Sequence, residues 1–112
     1  MTTWFELSKS SDGQFHFSLK SDTGTLLKSE AYAAKASALN GIESVKKNST
    51  EDGRYERKEA KNGKPMFNLK ASNGQVIGTS PMFADTTASE AAIELVKQTA
   101  GAAETREITS EA

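Results

Sequence analysis

Few side chains in this sequence could do chemistry, and their spacing limits what that chemistry could be. His16 is the only histidine. A general base or a metal ligand needs partners at a set spacing, and none flanks it. Cysteine is absent, which removes disulfides, thiolate zinc sites, iron–sulfur clusters and thiol nucleophiles together. No Gly-x-Gly-x-x-Gly, phosphate-loop lysine or Gly-x-Ser-x-Gly motif occurs, so neither a nucleotide cradle nor a hydrolytic serine is supported. Glu6 and Glu56 remain as acid–base candidates, because they lie fifty positions apart at matching points of a repeat. Two such carboxylates could act as acid and base if the halves brought them face to face. Strand-surface carboxylates paired with Lys9 or Lys58 are the simpler reading. No catalytic, cofactor-binding or metal-binding residue is expected.

Residues that could bind rather than react are easier to find. Lys20 and Lys70 recur in register. With Lys9, Lys28, Arg57, Lys58, Lys61 and Lys64 they could line a basic strip, and Trp4, His16 and Met66 could stack on bases beside it. The charge balance counts against nucleic acid without removing it: 14 Lys and Arg face 15 Asp and Glu, a net charge of −1. Solvated lysines that keep a sheet from aggregating explain the same residues. His16 corresponds to Met66 in the repeat, which fits a half-exposed sheet position. Trp4 precedes Phe5 in a strand, so the two point to opposite faces. Trp4, His16, Lys20, Met66 and Lys70 form the candidate interaction surface, open to a protein or small-molecule partner.

The elements that must position these residues are repeated. FSLKSDTG at 17–24 returns as FNLKASNG at 67–74. Glu6, Gly13, Phe17, Leu19, Lys20 and Gly24 recur at an offset of 50. After one inserted residue in SPMF, Ala33, Ile42, Glu43, Val45 and Lys46 recur at 51. Each half begins with a strand, 4–9 or 54–59, and a turn, SSDG or AKNG, where Asp-Gly and Asn-Gly supply positive φ. A second strand follows at 14–20 or 64–71. There Phe15, Phe17 and Leu19 alternate with His16, Ser18 and Lys20, as Pro65, Phe67 and Leu69 do with Met66, Asn68 and Lys70. A DTG or SNG turn leads to a third strand near 25–29 or 75–79. A helix closes each half. KASALNGIESVKKN places Ala38, Ile42 and Val45 on one face, and TTASEAAIELVKQTA does so with Ser89, Ala92 or Ile93, Val96 and Ala100. Thr87 and Glu90 have capping-box spacing, with Asp85 and Thr86 as competing caps. Gly41 is either tolerated or lets its helix lie close on the sheet.

Units of roughly 45 residues bury too little apolar surface to stand alone. The reading is therefore one α+β domain over 1–112, built from repeats at 4–48 and 54–98. A linker spans 49–53 and a C-terminal strand and tail span 99–112. Two tandem βββα(β) repeats share one mostly antiparallel sheet, with two helices on one face and a pseudo-two-fold axis. TREITS at 105–110 is a further strand with Ile108 as its apolar anchor, able to pair with either half. The expected core is Phe5, Phe15, Phe17, Leu19, Ala38, Ile42, Val45, Tyr55, Phe67, Leu69, Ile93 and Val96. The N-terminus does not read as a signal peptide, and no stretch approaches the ~18 apolar residues of a membrane span. A cytoplasmic, monomeric protein without cofactor or membrane contact is expected.

WFELSKSSDGQF, FSLKS and SALNGIESVKKN, repeated as GRYERKEAKNGKPMFNLKASNGQVIGTS, resemble the YegP-like family of small bacterial proteins. The resemblance spans 4–98. It implies β-β-β-α-β units that share one sheet and exchange their final strands, which would make the Ile108 segment a swapped strand. It implies no activity, and so transfers no site residue. The second half departs from the pattern where AAIEL (91–95) replaces NGIES and SPMF adds a residue. A site relying on two-fold symmetry would therefore be asymmetric.

Overall fold

The computed structural model describes residues 2–22 and 24–108, the last of these by its backbone alone. The chain runs β1 (Thr3–Lys9), β2 (Phe15–Ser21), β3 (Gly24–Lys28), α1 (Lys35–Asn48), β4 (Tyr55–Glu59), β5 (Pro65–Lys70), β6 (Val76–Thr79), α2 (Thr86–Thr99) and β7 (Glu104–Ile108). These strands form one sheet in the order β4-β5-β6-β3-β2-β1-β7. Without β7 the order is a palindrome about the β3–β6 seam, which is the pseudo-two-fold axis. All pairings are antiparallel except β1 with β7.

Local chemistry sets the hairpins. Gly13 and Gly63 take φ of 84° and 82°, which a side chain would strain. Their N–H groups close onto the carbonyls of Ser10 and Ala60, while Asp12 and Asn62 accept from the N–H two residues on. Only the glycines have positive φ, so each turn is a type I turn followed by a glycine bulge rather than the two-residue turn that Asp-Gly and Asn-Gly suggest. That turn sets Ser8 opposite His16 and Lys58 opposite Met66.

The apolar face of the sheet and the two helices enclose one core. It holds Phe5, Phe17, Leu19, Ala38, Ile42 and Val45 with Tyr55, Phe67, Leu69, Ile93 and Val96, whereas Phe15 packs on it half-buried. Phe17 and Phe67, at 1% and 0% exposure, fix which face is inside. Leu26, Leu27 and Ile77 are also buried, although period-two alternation does not select them. A bulge between Leu19 and Lys20 sets two residues of β3 against one of β2, and the same shift recurs between Leu69 and Lys70.

The halves differ at their outer edges. β7 follows α2 in the second half yet pairs with β1 of the first. Leu7, beneath it, is 1% exposed, while its repeat counterpart Arg57 lies on the uncovered edge of β4. Arg57 donates to Glu90 at 2.7 Å and to Asp52 at 3.2 Å, leaving a short, charged edge that resists strand addition. α2 begins at Thr86, so Thr87 lies inside its first turn. Asp85 alone caps α2, accepting from the Ala88 N–H at 2.8 Å, so the Thr87–Glu90 capping box does not form. The Ile108 side chain and residues 109–110 of the TREITS strand lie outside the described residues, as does Thr23 of the DTG turn.

Tyr55 joins the linker to the core. Its hydroxyl donates to the Ser49 carbonyl at 2.7 Å in a buried setting, and burial holds its ionisation well above the ordinary tyrosine range. The first half carries Phe5 at this position. Tyr55→Phe is expected to cost about 1 kcal/mol, the net worth of one buried hydrogen bond. The check is a urea midpoint that falls while the slope stays constant; an unchanged midpoint would contradict it.

Candidate functional site

Opposite the helices, the sheet presents an open face. β1 contributes Glu6 and Ser8, β2 contributes His16, Ser18 and Lys20, and β3 contributes Thr25 and Lys28. Their register sets Glu6 beside Ser18, Ser8 beside His16, Lys20 beside Thr25 and Ser18 beside Lys28. These residues line a shallow hollow of about 350 Å³.

Within it, Glu6 is the most constrained group. One oxygen accepts from the Trp4 indole N–H at 2.9 Å, and the other lies 3.3 Å from Lys20 Nζ. The indole donor first, and then Lys20, hold the Glu6 carboxyl below its usual range. Ser8 Oγ lies 2.9 Å from His16 Nε2. Among the described residues His16 is hydrogen-bonded to no carboxylate, Asp12 acting on it only through charge, so the orienting third group of a nucleophilic triad is missing. The pair is suited to hydrogen bonding. Lys28 is exposed and forms neither an ion pair nor a hydrogen bond among the described residues.

The repeat places an equivalent patch on β4, β5 and β6, and there the side chains satisfy one another. Glu56 accepts from Asn68 Nδ2 at 3.0 Å and from Lys70 Nζ at 3.1 Å. Thr79 donates to Asn68 Oδ1 at 2.9 Å. The Asn68 amide, and then Lys70, lower the Glu56 carboxyl. The register pairs Ser18 with Lys28 and Asn68 with Thr79, so the extra residue of the second half lies in the turn before β6 rather than in SPMF, and Lys28 and Thr79 are counterparts; Ser18 is too short to bridge as the Asn68 amide does.

The five candidate interaction residues therefore separate. Trp4, His16 and Lys20 lie on the first-half patch, and Met66 and Lys70 belong to the second, across β3 and β6. Trp4 is not a free anchor: the Arg106 guanidinium from β7 stacks on its ring at 4.6 Å, and its N–H is committed to Glu6. Met66 lines a separate hollow at the β4 edge with Lys58, Glu59 and Pro65. Glu6 and Glu56 do not face each other, because β1 and β4 lie on opposite sides of the sheet, and their ion-pair partners are Lys20 and Lys70 rather than Lys9 and Lys58. The sequence reading missed Ser8, Ser18 and Thr25 as site residues. The hairpin register was the available signal, since the turn at Ser10–Gly13 pairs Ser8 with His16.

A seven-stranded pseudo-symmetric sheet, two helices on one face and a polar opposite face define a tandem-repeat α+β protein without an assembled catalytic centre among the described residues. Residues 10–56 and 60–107 match the Domain of unknown function (DUF1508), and the chain belongs to that family. It is 52% identical over 110 residues to a UPF0339 protein of Acinetobacter baylyi, covering 97% of this chain and 99% of that one. It is 55% identical over 98 residues to the UPF0339 protein YegP of Escherichia coli strain K12, covering 87% and 89%. The solution NMR structure of YegP from E. coli, described as a protein of unknown function, matches with a TM-score of 0.90 at 49% identity over 100% of this chain and 97% of that one. The solution NMR structure of a UPF0339 protein from Shewanella oneidensis also matches with a TM-score of 0.90, at 46% identity over 97% and 93%. Each matched segment begins in a turn and ends with the strand after its helix, β4 or β7. No helix among the described residues is long and apolar enough to cross a membrane.

Proposed function

We propose that the protein is a non-enzymatic binding module of the cytoplasm, acting as a monomer, that takes a small polar ligand in the first-half hollow. The supporting observation is the difference between two equivalent patches. Asn68, Thr79, Glu56 and Lys70 close one by bonding to each other. The other stays hollow and is lined by hydroxyls, an imidazole and the unpaired Lys28. A surface that needed only solubility would have no use for this asymmetry. Lys20 and Lys70, the in-register lysines of a basic strip, are held by carboxylates, which weakens a nucleic-acid reading.

The test is amide chemical-shift mapping of the full chain against a panel of small polar metabolites. Shifts are expected at Ser8, His16, Ser18, Lys20 and Lys28, with the Glu56–Lys70 patch unmoved. A panel that moves nothing there, or a metabolite that is turned over, would overturn the proposal.

A further inference from the structure

The first-half hollow differs from its counterpart in where its unpaired charge stands as well as in its shape. Lys20 and Lys28 both line it, and since Lys20 is paired with Glu6, Lys28 is the ammonium group left for a ligand. That carboxylate is paired with Lys20 and accepts from Trp4, so its charge is offset within the hollow. Three hydroxyls, those of Ser8, Ser18 and Thr25, can each turn a proton toward a ligand. With His16 counted as neutral, the lining carries one excess positive charge. The equivalent patch has Thr79 where Lys28 stands and Lys58 where Ser8 stands, so its free ammonium group sits at the β4 edge rather than beside the central hydroxyls.

Other ligand chemistries fit less well. A cation would find one engaged carboxylate and two ammonium groups, and no metal-holding cluster occurs among the described residues. A sugar ring usually needs an aromatic platform, and Arg106 occupies the face of Trp4. Hydroxyl and ammonium donors lining one hollow suit a compact group with several acceptor oxygens.

We infer that the hollow recognises an oxyanion, a phosphate group held by Lys28, Ser18 and the Ser8–His16 pair. This rests on the proposal that the hollow is a ligand site. The repeat supplies a variant that should fold: Ser18→Asn with Lys28→Thr installs the arrangement the second half already uses.

Inorganic phosphate, glycerol 3-phosphate and glycerol are titrated separately into the labelled full chain at constant ionic strength. Both phosphates are expected to give saturable shifts at Ser8, His16, Ser18 and Lys28. Tighter binding of glycerol 3-phosphate would assign the phosphate to a small metabolite, and equal binding would assign it to the free anion. Binding should weaken about tenfold or more in Ser18→Asn/Lys28→Thr, as expected for loss of a charge-assisted contact. Lys28→Gln should weaken it in the same direction and serves if the double variant fails to fold. Phosphate binding that survives both variants would overturn the inference. Glycerol binding in the hollow while phosphate does not would overturn the oxyanion and leave the ligand site standing; no probe or metabolite binding there would overturn both.

Discussion

Replacing Leu27 with alanine is expected to lower the stability of the whole fold by about 2–5 kcal/mol, the range for opening a cavity at a fully buried leucine. Leu27 is fully buried on β3, at the seam between the halves. The seam has little else. Lys28 with Thr79 is the one β3–β6 register pair among the described residues, so hydrogen bonding alone holds the two three-stranded units weakly. The repeat counterpart of Leu27 is Gly78, and the two approach each other near the axis. A Cβ on Gly78 would meet the two Leu27 methyls at 3.4 and 3.5 Å. One leucine spans the axis, and a single Cβ on the glycine opposite would already be in contact with it, leaving no space for a larger side chain. A loss of that size should lower the melting temperature by about 10 °C or more for a domain of this length. Gly78→Leu alone should overpack the seam and cost roughly 1–3 kcal/mol. The exchanged pair, Leu27→Gly with Gly78→Leu, should recover part of the loss of Leu27→Gly, because the same volume re-enters from the other side. If Leu27→Ala moved the urea midpoint by no more than a surface substitution does, the seam would not depend on this side chain.

The same geometry explains what could be read from sequence. Phe17 and Phe67, alternating with His16 and Met66, gave away the buried face because a strand with period two leaves no other arrangement. Both helices were legible from their apolar spacing, and Lys35–Asn48 coincides with the helix that spacing marks out. The seam was not legible. The bulges at Leu19/Lys20 and Leu69/Lys70 put neighbouring residues on one side, so Leu26, Leu27 and Ile77 fall outside any alternation rule. Leu7 was hidden for a different reason. Its counterpart is a charged Arg57, and only the return of β7 to β1 makes one edge interior and leaves the other in water. At the site, alternation placed His16 and Lys20 on the open face. The engagement of Lys20 and the freedom of Lys28 depend on which strand lies next to which, and that is a tertiary fact.

Gly41→Ala should destabilise the protein by about 1–3 kcal/mol, although alanine is the better helix former by roughly 1 kcal/mol. A glycine within α1 would ordinarily be a weakness. Here its missing Cβ is the space that the Tyr32 ring occupies. A Cβ built on Gly41 would lie 2.7 Å from Tyr32 Oη and 2.8 Å from Phe17 Cε2. Tyr32 stacks on Phe17 with ring centres 6.2 Å apart, and this stack fills the gap between β2 and the helix. The second half repeats the stack with Phe83 on Phe67, at 6.0 Å. There the helix position is Ala92, and Phe83 has no hydroxyl. The two halves thus hold two solutions to one packing problem: glycine with tyrosine, and alanine with phenylalanine. Tyr32→Phe should therefore rescue much of the loss in Gly41→Ala, giving a coupling energy of about 0.5–3 kcal/mol in a double-mutant cycle. Strict additivity would show that the hydroxyl is not what the glycine accommodates, and that the constraint is the edge of the Phe17 ring, 2.8 Å from that Cβ.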